Sequence, residues 1–195
     1  MKPILSLTLC LILSLSTMAQ KDDYFYQIPE APKSYSANHV LARMIDGLGF
    51  RYYWASFGLE QKDLNYSPDG DNRRSTLETL KHIDGLTNIA RNTIIGVPTN
   101  ISTNVTPSEF SKLRSKTLAQ LEEASKFLRN NALNPDQQKM IFDSERGSQE
   151  YPLWNLINGP ISDALWHIGQ VVSFRRSSGN PFPAGVGVLQ GSKRD

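Results

Sequence analysis

Apolar residues recur every three or four positions along four stretches of this 195-residue chain, with polar residues between them. That period gathers the apolar side chains into one stripe of an α-helix. The first stretch runs from about Asn38 to Phe57; Leu41, Ile45, Leu48 and Tyr52 form its stripe, and Gly47 and Gly49 permit close helix contact. Ser67-Pro68-Asp69-Gly70-Asp71 then marks a turn. Ser75-Thr76-Leu77-Glu78 has the form of a capping box, in which the Ser and Glu side chains satisfy amides left open at a helix start. The helix it opens carries Leu80, His82, Ile83, Leu86 and Ile89 and fades at Gly96-Val97-Pro98. A third helix is expected with Thr106 as cap, Pro107 in the first turn and Glu109 three residues after the cap; its stripe is Phe110, Leu113, Thr117, Leu121, Ala124 and Leu128, ending near Asn130-Asn131. The fourth pattern spans Tyr151 to Ser178, but Gly159-Pro160 interrupts it, so the helix should kink or restart there before Gly179-Asn180-Pro181 stops it.

No stretch alternates with the period of a strand, so the pattern predicts an all-α protein, and a four-helix bundle is the simplest way to bury four stripes. The chain divides accordingly into residues 1–19, an export signal; 20–37, an extended, proline-spaced lead; 38–182, the bundle; and 183–195, a flexible polar tail. The export signal is read from Lys2, the apolar run from Ile4 to Leu15, and Ser16-Thr17-Met18-Ala19-Gln20, with cleavage after Ala19. At about twelve residues the run is too short to span a bilayer, so the expectation is a periplasmic or extracellular protein without stable membrane insertion. The one cysteine, Cys10, lies inside that signal. The mature chain is therefore expected to have no disulfide and no thiolate nucleophile. A formal net charge of +2 gives no nucleic-acid footprint. A homodimer is compatible with the pattern, and the expected partner is a small molecule of unassigned identity.

Candidate chemistry concentrates in a few side chains. The histidines are His39, His82 and His167. In Ser162-Asp163-Ala164-Leu165-Trp166-His167-Ile168-Gly169-Gln170, Asp163 and His167 stand four residues apart, one above the other on a helix. His82, on the row of Glu78, Leu86 and Ile89, is the natural third donor from another helix. A carboxylate with two imidazoles suits zinc, nickel or ferrous iron better than magnesium or calcium. On spacing alone, an Asp and a His four apart are more often a simple hydrogen-bonded or ion pair, and that reading wins. Gln170 and Glu78 are candidates to support the ligands, Glu78 by orienting His82. His39, beside Asn38 at a helix start, reads as a capping or exposed residue. Trp54, Trp154 and Trp166 read as core. Arg175 and Arg176 suit the end of a helix whatever the function, although Arg175, two turns past His167, could receive an acidic substrate. No serine stands in a recognisable nucleophile turn.

The segment Asp163-x3-His167-Ile168-Gly169-Gln170 resembles the last-helix signature of the DinB-like (DinB/YfiT) superfamily, in which a His-x3-His pair runs into x-Gly-Gln. Thr76-Leu77-x2-Leu80-Lys81-His82-Ile83 is similar to that family's second-helix motif, whose single His completes a three-ligand site. The resemblance implies a four-helix bundle holding one divalent transition metal through His82, Asp163 and His167, with Asp163 standing where the family usually has a His. It further implies a metal-dependent enzyme; characterised relatives include thiol-dependent transferases and isomerases. Metal-assisted hydrolysis is the alternative class, because two imidazoles and a carboxylate resemble the ligand set of several zinc hydrolases. A non-catalytic exported binding bundle with a vestigial metal site is the third. None of these assigns a catalytic residue.

Overall fold

The computed structural model describes residues 23–69, 73–100, 102, 105–131 and 133–194. The expected export signal lies outside the described residues. The fold is mostly helical: α1 (Ala37–Ser56), the short α2 (Gln61–Leu64), α3 (Thr76–Ile95) and α4 (Phe110–Asn130) are followed by α5 (Trp154–Leu156), a π-helical segment (Ile157–Ile161) and α6 (Ser162–Ser177). Strands β1 (Thr99–Asn100), β2 (Lys139–Ser144), β3 (Gly147–Pro152), β4 (Val186–Gly187) and β5 (Ser192–Lys193) punctuate the helices.

The long helices pack as a ring, α1 against α4 and α6, and α3 against α4 and α6. Their stripes meet inside it: Leu41, Ile45 and Leu48 of α1, Leu80 and Ile83 of α3, Leu113 and Leu121 of α4, and Ala164 and Val171 of α6 are all buried. Local chemistry fixes the ends. Ser36 caps α1 by accepting from the His39 amide. At α3 the box closes as its spacing predicts, with Ser75 Oγ accepting from the Glu78 amide at 3.2 Å and Glu78 Oε2 accepting from the Ser75 amide at 2.7 Å. Gly96, at φ +78°, ends that helix in the left-handed conformation that glycine adopts without strain.

Four expectations need correction. The third long helix starts at Phe110 with Glu109 at its cap position, not at Thr106, and Glu109 turns its carboxylate to Ser111 and Lys112 instead of to a backbone amide. Residues 139–152 form an antiparallel hairpin, with β1 parallel to β2 on the other side, so Tyr151 pairs with Met140 and the helix begins only at Trp154. Every residue of β3 is exposed, which is why no apolar alternation announced it. At Gly159-Pro160, where a kink or a restart is expected, the chain does not restart. It stays helical through a wider π turn, which tolerates a residue without an amide hydrogen, and Ser162 Oγ donates to Ile157 O across it. Finally, Trp154 and Trp166 are 76% and 74% exposed; of the three tryptophans only Trp54 is core.

The lead and the tail are likewise more ordered than their composition suggests. Phe25 is buried against α1, close enough that a Cβ on Gly49 would lie 2.4 Å from its ring; that glycine serves the lead, not a second helix. Trp54 Nε1 donates to Tyr26 O at 3.1 Å and Tyr53 hydroxyl to Asp23 at 3.0 Å. In the tail, β4 and β5 pair, and the Ile28 amide donates to Gly191 O at 2.7 Å, joining tail to lead. Arg175 is buried rather than presented to a substrate: Nη1 donates to Trp54 O and Ala55 O, each at 3.0 Å, while Nε and Nη2 bond Asn180. Asn180 and Ser178 in turn donate to the buried Asp63. Arg175→Met should cost at least about 2 kcal/mol in urea denaturation, because it strips carbonyls at the end of α1 of a charged donor. Gly49→Ala should cost about 1–3 kcal/mol by overpacking against Phe25.

Candidate metal centre

The contact of α3 with α6 brings the candidate donors together from positions far apart in sequence. His82 projects from the second turn of α3, whose register is set by the Ser75 cap. Asp163 and His167 project from the first turns of α6. His82 Nε2 lies 3.3 Å from Asp163 Oδ2, and His167 Nε2 lies 3.3 Å from Asp163 Oδ1. The two imidazoles meet edge to face, 4.6 Å between centroids and 87° between planes. One ligand atom from each residue fits within 4.8 Å of the others. Tetrahedral coordination at about 2.0–2.1 Å puts donor atoms about 3.3–3.4 Å apart; each imidazole stands at that distance from Asp163, but from a different carboxylate oxygen, as in a His–Asp–His contact that could close on an ion. The side chains are 32% (His82), 14% (His167) and 39% (Asp163) exposed, which leaves one face of the cluster open.

The support around the donors is unequal. Gln170 accepts from His167 Nδ1 at 2.7 Å. That bond places the ring proton on Nδ1 and leaves the Nε2 lone pair toward Asp163, the tautomer a metal requires. Glu78 does not orient His82; both of its observed roles are at the helix start, where it accepts from the Ser75 amide and hydroxyl. Those bonds hold its carboxyl below the usual range. His39 stands apart at the start of α1, its Nδ1 2.8 Å from Ser34 Oγ, as a residue of the cap region. Burial, then the nearby positive charge of Arg74, pushes the His82 imidazole below its ordinary 6.5 despite the opposing Asp163.

Sequence reading passed over two flanking residues. Arg73 and Arg74, immediately before the α3 cap, border a cleft that also reaches His167 and Gln170. The only trace of this in the sequence is a pair of adjacent arginines upstream of a capping box, a pattern with no chemistry of its own.

No family model, curated protein or solved structure matches the chain. The function must therefore be argued from the donors themselves. His82, Asp163 and His167 could hold a metal ion, and the mixed nitrogen and oxygen donor set suits a transition metal.

The geometry sets two measurable outcomes. Gln170→Ala should weaken zinc binding about tenfold to a hundredfold, measured by competition with a chromogenic chelator, because His167 loses the partner that fixes its tautomer. Zinc affinity should fall as the pH is lowered, because protons compete with the metal for the donors, and the part of that fall due to His82 should come below the ordinary histidine range.

Proposed function

We propose that this chain is an exported DinB-like four-helix bundle that binds one divalent transition metal, zinc, nickel or iron, through His82, Asp163 and His167, and acts as a metal-dependent transferase on thiol-containing or other small molecules. The observation that carries the proposal is the convergence of three ligating side chains from two helices, with a glutamine fixing the tautomer of one of them. The ring of four long helices is the architecture this reading calls for. Asp163 in place of the usual family histidine gives a bound ion one negative charge from the protein and keeps the site competent. When bound, the ion supplies Lewis acidity toward an oxygen or sulfur donor of the substrate. The protein's own part is to orient the donors and to leave one face open. Its sulfur chemistry uses a thiol brought by the substrate, because the cysteine of the chain lies in the proposed signal. No helix of the described residues is long and apolar enough to cross a membrane.

The two-histidine, one-carboxylate set favours hydrolysis as a second reading, and turnover of thiol conjugates against esters and amides separates the two. Metal content comes first. Elemental analysis after mild dialysis should find about one ion per chain, and His82→Ala and His167→Ala should each abolish it. Asp163→Ala should behave like the histidine changes, whereas Asp163→His should retain binding. A wild-type protein that takes up no zinc, nickel or iron would overturn the reading. Mass spectrometry of the exported protein should give a chain beginning at Gln20; an uncleaved chain confined to the cytoplasm would refute export.

A further inference from the structure

Beside His167 lies a cleft of about 340 Å³, bordered by Pro68, Arg73, Arg74, His167, Gln170 and Phe174. Its charge is one-sided: two guanidinium groups line it together with the polar Thr79, His167 and Gln170, and among the described residues no carboxylate does. Arg73 is unlike the other arginines in one respect. Arg91, Arg114, Arg129 and Arg175 each donate to a carboxylate, a hydroxyl or a carbonyl. Arg73 Nη1 and Nη2 are shielded from water and, among the described residues, have no hydrogen-bond partner. A guanidinium cannot shed its charge, so burying these donors without an acceptor is costly, and a rotation of the side chain into the cleft it borders would bring them to an oxygen there and offset that cost. Gln170 adds a further donor. Its Oε1 is committed to His167, and its Nε2 is engaged by no described residue.

We propose that Arg73 and Arg74 seat an oxoanion, so that the substrate of this site is a small organic carboxylate or phosphate ester whose charged head meets the guanidinium pair while its apolar body lies on Phe174 and Pro68. The planar fork of arginine matches both heads, which is why the two share one seat. As to the reacting end of the substrate, the inference rests on the metal-binding reading above: His167 borders the same cleft, so a molecule seated there lies next to the donors. The seat itself does not need the ion.

The test is calorimetric titration of the full mature chain, metal-free and zinc-loaded, with phenylphosphonate and benzoate, and with benzamide as the neutral control. Both anions should bind the metal-free protein at about one per chain and benzamide should not; the tighter of the two identifies the preferred head. Arg73→Gln should weaken anion binding about tenfold or more without changing zinc uptake. Arg73→Lys, which keeps the charge but loses the fork, should fall between, and Arg74→Gln supplies an independent reading should Arg73→Gln fail to fold. Equal anion affinity in the wild type and the arginine variants, or equal binding of benzamide, would overturn the seat. If zinc is taken up as expected while anion binding ignores both arginines, the seat falls and the metal reading stands. If zinc is refused while arginine-dependent anion binding persists, the seat stands and the metal reading falls.

Discussion

A buried guanidinium sets the position of the last helix. The final turn of any helix leaves carbonyls without partners, and α1 ends deep in the protein, where water cannot supply them. Arg175 answers that need from α6, donating to Trp54 O and Ala55 O, while Asn180 and the buried Asp63 complete its surroundings. A charge so placed tolerates little sliding, because moving α6 along its axis would leave both the guanidinium and the carbonyls unpaired. The same helix carries Asp163 and His167. The phase of two candidate ligands is thus tied to a contact on a different helix at the opposite end of α6.

The third ligand is held by an independent device. The box of Ser75 and Glu78 starts α3, and the core contacts of Leu80 and Ile83 fix the face on which His82 emerges. The candidate centre therefore lies where two separately anchored helices meet, and neither anchor uses a ligand side chain. That division suits a site whose donors must keep their lone pairs free: Glu78 serves the helix, Arg175 serves the core, and Gln170 alone is given to a ligand.

Periodicity revealed the long helices because each buries a stripe, and most of the stripe residues named from the sequence meet in the core, Ile89 and Phe110 being only partly buried. Leu41, Ile45, Ile83, Leu113 and Leu121 are all inside. The same logic could not see β3, whose exposed residues carry no stripe, or the order in the tail, which comes from backbone bonds such as Ile28 to Gly191. It misplaced Trp154 and Trp166 because a large apolar residue at helical spacing is usually inside, and here both face solvent. At the site, spacing alone favoured a plain Asp–His pair, and it was the family resemblance that grouped His82, Asp163 and His167, which the structure brings within reach of one another. The role of Gln170 required a distance, and the burial of Arg175 required a partner on the first long helix that no local pattern could name.

The π turn at Ile157–Ile161 bears on how this helix can vary. A π turn holds one residue more than the α turn it replaces, so it acts as a rotary offset of about 100° between the helical residues on its two sides. Upstream lies the apolar hollow formed with α1, bordered by Leu153, Trp154 and Ile157; downstream lie Asp163 and His167. Loss of a single residue inside the turn would re-aim the upstream wall by that angle while Arg175 held the ligand end still. A change of length here would thus turn the wall of the hollow beside α1 relative to the donors downstream.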